Sequence, residues 1–390
     1  MKLHLAKALI VALMSSTCAY AEAAYTNTYT HTSENTPSSS VRNETYLKDT
    51  AYFGGSVSTV RYENDVNAEN CKFTAPEKGS MWFDGNVTLK DCEIVDTTGG
   101  SINIGETGSK KTLALKGGNT FTSYASQDIT IQTKSATAEG DNYFYGATNV
   151  NRLKVISGKQ TFENKMTDSA QTMAFNAVGF DANADDSAAI DVSVDRGWLF
   201  FRDDCTISSL ETANCTLRVW NSLTVKDSIT FNTGTSFDLN ASKNAVIILE
   251  IDSLSELMNM PSEVALFGAN DGSTPMLTLG DGVSLGDNAK VELMFTKNAI
   301  EEMQEYEGPI TFNLEKVTNA ADVKLNLTIE KDLEDQGMTA TQVFGSNTTF
   351  TTGEAGSSDN QVTINAIPEP TTATLSLLAL AGLCARRRRA

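Results

Sequence analysis

Apolar residues in the middle of the chain recur as a short unit without helical period. The unit runs apolar, any, apolar, then a basic residue, a turn residue and a second apolar end. It appears at Val87–Val95 (VTLKDCEIV), Leu113–Phe121 (LALKGGNTF) and Leu223–Phe231 (LTVKDSITF), with a looser copy over Leu153–Phe162. A period of two describes a strand with one buried face, and the turn residue marks a corner into a second strand. The first two copies start 26 residues apart, and Cys71 and Cys92 are 21 apart. Periods in the twenties suit one coil of a parallel β-helix, where a coil buries its inner face only by stacking on its neighbours. The pattern predicts an all-β chain with a right-handed parallel β-helix or solenoid over residues 51–250. β-Sandwich domains are the alternative, because their alternating strands leave a similar local pattern.

The flanks read differently. Residues 24–50 are rich in Thr, Ser, Asn and Tyr with no apolar period, a flexible or loosely strand-forming leader. After Ala245–Ile251 (AVIILEI), Asp252–Met260 predicts a short helix stopped by Pro261. Asn298 and Glu301 have capping-box spacing and open a second helix ending at Gly308–Pro309. Strands such as Val323–Ile329 then resume. A Gly/Ser/Asp-rich linker precedes a last strand at Gln361–Ala366. A soft boundary near residue 250 makes 251–352 a β-rich part with short helices, either a separate domain or a cap on the solenoid. Residues 353–366 form the linker and last strand.

The two ends carry addressing patterns. Residues 1–23 have a basic start (Lys2, Lys7), an apolar run from Ala8 to Met14, and small residues at Ala19, Ala21 and Ala23. This is the three-part pattern of a secretory signal peptide, with cleavage after Ala21 or Ala23 and passage through the Sec export machinery. Residues 367–390 contain Pro368, Glu369 and Pro370, an apolar stretch Ala373–Ala385, and Arg386, Arg387, Arg388 and Arg389. The prolines hold the chain extended, and the arginines keep the cytoplasmic side, leaving the body outside.

This tail resembles the PEP-CTERM sorting signal of Gram-negative bacteria: a Pro-Glu-Pro motif, a short hydrophobic transmembrane helix and an arginine cluster. The resemblance covers 24 of 390 residues. It implies recognition by an exosortase, a membrane-embedded cysteine transpeptidase-like enzyme. Transient anchoring in the inner membrane would be followed by cleavage near the motif and delivery to the cell surface or its polysaccharide matrix. The repeats of the body are similar to autotransporter-like passengers.

Charge sharpens the picture. The whole chain carries −19; without the two ends, residues 24–366 hold 24 bases and 47 acids, a net −23. Such an exterior excludes nucleic acid, which demands a basic footprint. Threonine occurs 47 times among the 390 residues, favouring strands.

Histidine occurs only at His4 and His31, the first in the signal peptide and the second in the leader. Ser-His-Asp, Cys-His and histidine-zinc chemistry all need a positioned imidazole, so the sequence predicts a non-enzymatic protein. Paired carboxylates without histidine can still hydrolyse glycans, and the pairs are Asp185–Asp186 and Asp203–Asp204. Asp203 and Asp204 follow Trp198, Phe200 and Arg202, which gives the alternative of a glycan-active enzyme. A third reading is a carbohydrate-binding module using Trp82, Trp198 or Trp220 as a stacking platform.

Asp181–Asp186 (DANADD) opens like a calcium loop but has Asp186 where glycine belongs and Val192 where glutamate belongs. Gly280–Gly282 and Gly286–Asn288 are turn signals with weak calcium potential. No cofactor is expected beyond calcium loosely held by an acidic surface. Of the four cysteines inside the body, Cys205 and Cys215 are the preferred disulfide; Cys71 and Cys92 either pair across adjacent coils or stack reduced. The sequence thus predicts a surface-sorted β-repeat protein with a structural, adhesive or matrix role, in contact with extracellular polysaccharide.

Overall fold

The computed structural model describes residues 25, 27–30, 39–42, 46–96, 100–105, 110–124, 129–165, 171–240, 245–253, 277–279, 291–305, 310–313, 326–335, 338–344, 348–351 and 361–365. Most of them form strands paired in parallel into a solenoid of about 9 turns. This removes the β-sandwich alternative: strands pair with their equivalents in the next coil, one coil of sequence away.

Each coil has three short strands joined at corners, so the stack has three faces. On the first face, Thr50–Phe53, Lys72–Thr74, Glu93–Val95, Thr120–Thr122 and Asn142–Tyr145 pair in succession. Ser80–Phe83, Ser101–Ile104 and Ile129–Ile131 continue the second face. Val66–Glu69, Val87–Lys90, Thr112–Lys116 and Ser135–Glu139 continue the third. The repeated unit is therefore a third-face strand, a corner and a first-face strand. In later coils the breaks close, and Ala189–Phe201 and Cys205–Val219 turn corners as single long strands. The Thr/Ser-rich leader is drawn in: Asn27–Thr30 and Tyr46–Lys48 pair with the next coil, so the stack starts before residue 51.

Inward positions on all faces are mostly apolar, and aromatic rings stack from coil to coil. Phe121, Phe144 and Phe162 are fully buried, with ring centroids 4.5 and 4.3 Å apart. Tyr62 and Phe83 stack on the second face at 4.8 Å. Burying one such ring contributes about 1.5–3 kcal/mol, and adjacent coils place identical positions at one strand spacing, so the contacts repeat.

The corner between third and first faces needs left-handed backbone. Asp49, Asn70 and Asp91 adopt φ of 49, 49 and 53°, a conformation Asn and Asp tolerate. Further along, Gly140 and Gly158 take it at φ 71°, packed so closely that a Cβ on Gly158 would lie 2.4 Å from the Gly140 carbonyl carbon. Just inside this corner runs a buried polar column. Asn119 Nδ2 donates to Asn142 Oδ1 at 2.7 Å, and Asn142 Nδ2 donates to Gln160 Oε1 at 2.8 Å.

Beyond residue 250 the third face goes on. Val246–Ile251 pairs with Val291–Phe295, which pairs with Asn326–Ile329. Helix Lys297–Glu305 buries Ala299, Ile300 and Met303, and Phe344 packs on Phe295 at 5.0 Å. Val291–Phe295 and Asn326–Ile329 thus continue the solenoid past residue 250, and the helix packs beside them. The helix is capped by Thr296, two residues ahead of the expected Asn298. Thr296 Oγ1 donates to Asp252 Oδ1 at 2.7 Å and accepts from the Ala299 amide. Ile310–Asn313, Gln361–Ile364 and Thr348–Thr351 form a small antiparallel sheet, the expected last strand among them.

The expected signal peptide, His31, all but the first two residues of the helix expected at Asp252–Met260, the expected turns at Gly280 and Gly286, and the expected sorting tail lie outside the described residues. Among the described residues, no helix is long and apolar enough to cross a membrane.

Candidate binding groove

The outward column of the second face sets the site. In register it reads Trp82, Asn103, Thr130, Asn149, Ala174, Phe200, Arg218 and Asp238. Side-chain size drops to a methyl at Ala174 and jumps to a phenyl one coil later. A cavity of about 330 Å³ opens there, with Ala174 in its floor and Asn151, Asn176 and Arg202 along one edge.

That edge is a ladder. Asn151 Nδ2 donates to the Gln132 carbonyl at 3.1 Å, Asn176 Nδ2 donates to Asn151 Oδ1 at 2.8 Å, and Arg202 Nη1 reaches Asn176 Oδ1 at 3.4 Å. Its members are 19, 25 and 26 residues apart in sequence, so only the coil register brings them together. Gln132, Asn151, Ala174 and Asn176 carry no local motif, and sequence reasoning missed them.

Next to the cavity lies a raft of rings and guanidinium groups. Trp198 and Trp220 remain 39% and 38% exposed at opposite ends of the face, and Phe200 lies between them. Arg218 sits over Trp198 at 4.7 Å and is anchored by Asp238, with Nη2 at 2.6 Å from the carboxylate. Arg202 sits over Phe200 at 4.8 Å, and Trp220 meets the same ring edge-on. Arg202 makes no ion pair among the described residues. The structure brings Trp198 and Trp220 together around Phe200 but leaves Trp82 apart, several coils away and half-buried under Arg61 at 5.4 Å.

The paired acids sit at corners. Asp203 and Asp204 are exposed between second and third faces, and Asp204 Oδ1 accepts from the Ser222 hydroxyl at 2.7 Å and from its amide. Asp185 accepts from the Ser187 amide at 2.9 Å, and Asp181 from the Asn183 amide at 3.0 Å. Both close turns of one exposed loop. Among the described residues, no group of three or more His, Cys, Asp or Glu is arranged to hold a metal ion.

The cysteines depart from expectation. Cys205 and Cys215 are free buried thiols, not a disulfide. Cys205 begins the third-face part of its coil and Cys215 precedes the second-face part, with the first-face segment Ser209–Thr212 between them. Burial pushes both thiols up to about 12. Cys71 and Cys92 are also free, stacked in adjacent coils at the corner that continues as Asn119 and Asn142. Cys92, hydrogen-bonded to Cys71 and buried, holds its proton above the usual thiol range.

No protein-family model matches this chain, and neither a curated protein nor a solved structure matches it.

Proposed function

We propose that this is an exported, non-enzymatic β-solenoid protein, wound right-handed as crossover connections favour. Its role is structural or adhesive at the cell surface or in the extracellular matrix. The reading of its route rests on the signal-peptide pattern of residues 1–23 and on the PEP-CTERM-like tail, Pro368–Glu369–Pro370 with Arg386–Arg389.

One observation carries the structural role: outward polar side chains pair with the coil above or below. Glu69 is shared by Lys48 at 3.5 Å and Lys90 at 3.0 Å, and Lys116 pairs with Glu139 at 2.6 Å. Ser80 and Ser101 join hydroxyls at 3.0 Å. Exposed pairs contribute little individually, about 0–1 kcal/mol, but repetition along the stack makes the surface a regular, hydrated rod. The alternative of a glycan hydrolase would need Asp203 and Asp204 as its acid and base, whereas Asp204 is engaged in fixing the next coil.

Fractionation of cells producing the native chain or a Pro368→Ala/Pro370→Ala variant tests the sorting. Unchanged processing of the variant overturns it. Release of reducing sugar from polysaccharides by the purified chain overturns the non-enzymatic role.

A further inference from the structure

We propose that the second-face groove at Ala174 binds an extended neutral polysaccharide, whose chain lies along the solenoid axis from the cavity toward Phe200, passing between Trp198 and Trp220. The inference deepens the matrix role by naming the class of partner. It does not depend on the export route, so the two fail separately.

Shape comes first. The cavity, about 330 Å³, lies at the small end of ligand pockets and opens onto a flat face, so it accepts part of a longer molecule. Its floor exists because Ala174 takes a place filled by Asn149 in one neighbouring coil and Phe200 in the other.

Chemistry comes next. A sugar ring offers hydroxyls around its rim and C–H groups on its faces. Carboxamides and a guanidinium suit the rim, and exposed rings suit the faces. Asn176 uses one Nδ2 hydrogen and one Oδ1 lone pair in the ladder, leaving the second of each for ligand hydroxyls. The rings are held ready: Arg218 and Arg202 lie against Trp198 and Phe200, which fixes the platform before a ligand arrives.

Spacing agrees. Ladder groups repeat once per coil, at the parallel-strand separation of about 4.8 Å. This is close to the advance of one residue in an extended glycan.

Charge selects neutral over acidic chains. The body carries −23, and Asp203 and Asp204 follow Arg202 at the corner beside the groove, so a long polyanion meets net repulsion from the surrounding surface.

The test is titration calorimetry on the full-length chain with cellohexaose, xylohexaose, mannohexaose and laminarihexaose, and with polygalacturonate as the acidic arm. Saturable binding of at least one neutral hexasaccharide is expected. Trp198→Ala should weaken it about tenfold, the scale of one lost stacking contact. Ala174→Phe, which fills the floor with the side chain of the next coil, should abolish it while the chain still unfolds cooperatively, at a somewhat lower melting temperature. Trp82→Ala should leave it intact. Binding to none of the neutral hexasaccharides overturns the proposal, as does binding only to polygalacturonate. Undiminished binding by a folded Ala174→Phe variant does the same.

Discussion

Asn119 and Asn142 lie one above the other inside a corner of the solenoid, joined by a 2.7 Å hydrogen bond between their carboxamides. Both are almost fully buried, at 1% and 3% exposure. Asn119 Oδ1 also accepts from the Cys92 amide at 2.9 Å, and its Nδ2 donates to the Leu89 carbonyl at 3.2 Å. One side chain thus satisfies groups in the coils on either side.

Asn119→Ala would take the side-chain partner from the Cys92 amide and the Leu89 carbonyl in a dry corner, while Asn142 Oδ1 keeps only the backbone amide of residue 119. Each stranded group costs about 1–3 kcal/mol. Urea unfolding should show a loss of at least about 2 kcal/mol. Asn103→Ala, on the outward side of the second face, should lose far less.

Gly158→Ala tests the left-handed corner. The residue has φ 71°, and the new Cβ would collide with Gly140 backbone in the coil below. A melting temperature lower by several degrees is expected, from about 1–2 kcal/mol of strain plus the clash. Lys159→Ala, the next residue, should have a small effect. Equal effects would contradict the corner geometry.

Acid should loosen the rod. The Asn86 side-chain hydrogen bond, aided by the Asn86 amide, holds Asp65 below its ordinary 3.8. The Lys90 hydrogen bond, aided by Lys48, holds Glu69 below its ordinary 4.5. A lowered folded value stabilises above the ordinary value, and that stabilisation is lost as pH falls through the folded one. Melting temperature should stay level from neutral pH to about 5 and fall below about 4. In an Asp65→Asn/Glu69→Gln variant the acid fall should be shallower. An unchanged slope would show that these carboxylates do not couple the coils.

All four body cysteines should react as thiols after unfolding without reductant, four alkylations by mass. In the native state Cys205 and Cys215, buried and pushed up to about 12, should be alkylated slowly at mildly alkaline pH. A non-reduced peptide linking Cys205 to Cys215 would contradict the arrangement.

The coil repeat was legible because Val87–Val95 and Leu113–Phe121 place a buried strand, a corner and a buried strand in one short window. Those windows fold as read. Coil length was not legible. Glu93 to Thr120 spans 27 residues, Tyr143 to Thr161 only 18, and Thr161 to Asp191 30, because loops such as 181–188 are inserted at corners. Varying insertions blur any fixed period. The aromatic part of the groove announced itself at Trp198 and Phe200. The amide ladder did not, because Asn151, Asn176 and Arg202 meet only through register. The Cys205–Cys215 pairing looked close along the chain, but a coil that turns a corner separates neighbours in sequence and joins residues a coil apart.

Mass analysis of the chain's own termini, recovered from the cell-surface and extracellular fractions, tests export and sorting most directly. The expected result is a mature chain beginning at Glu22 or Ala24 and lacking the peptide with Arg386–Arg389, with tail loss blocked in the Pro368→Ala/Pro370→Ala variant. An intact chain retained in the cytoplasm with Met1 and Arg389 both present would contradict it, as would a variant processed like the native protein.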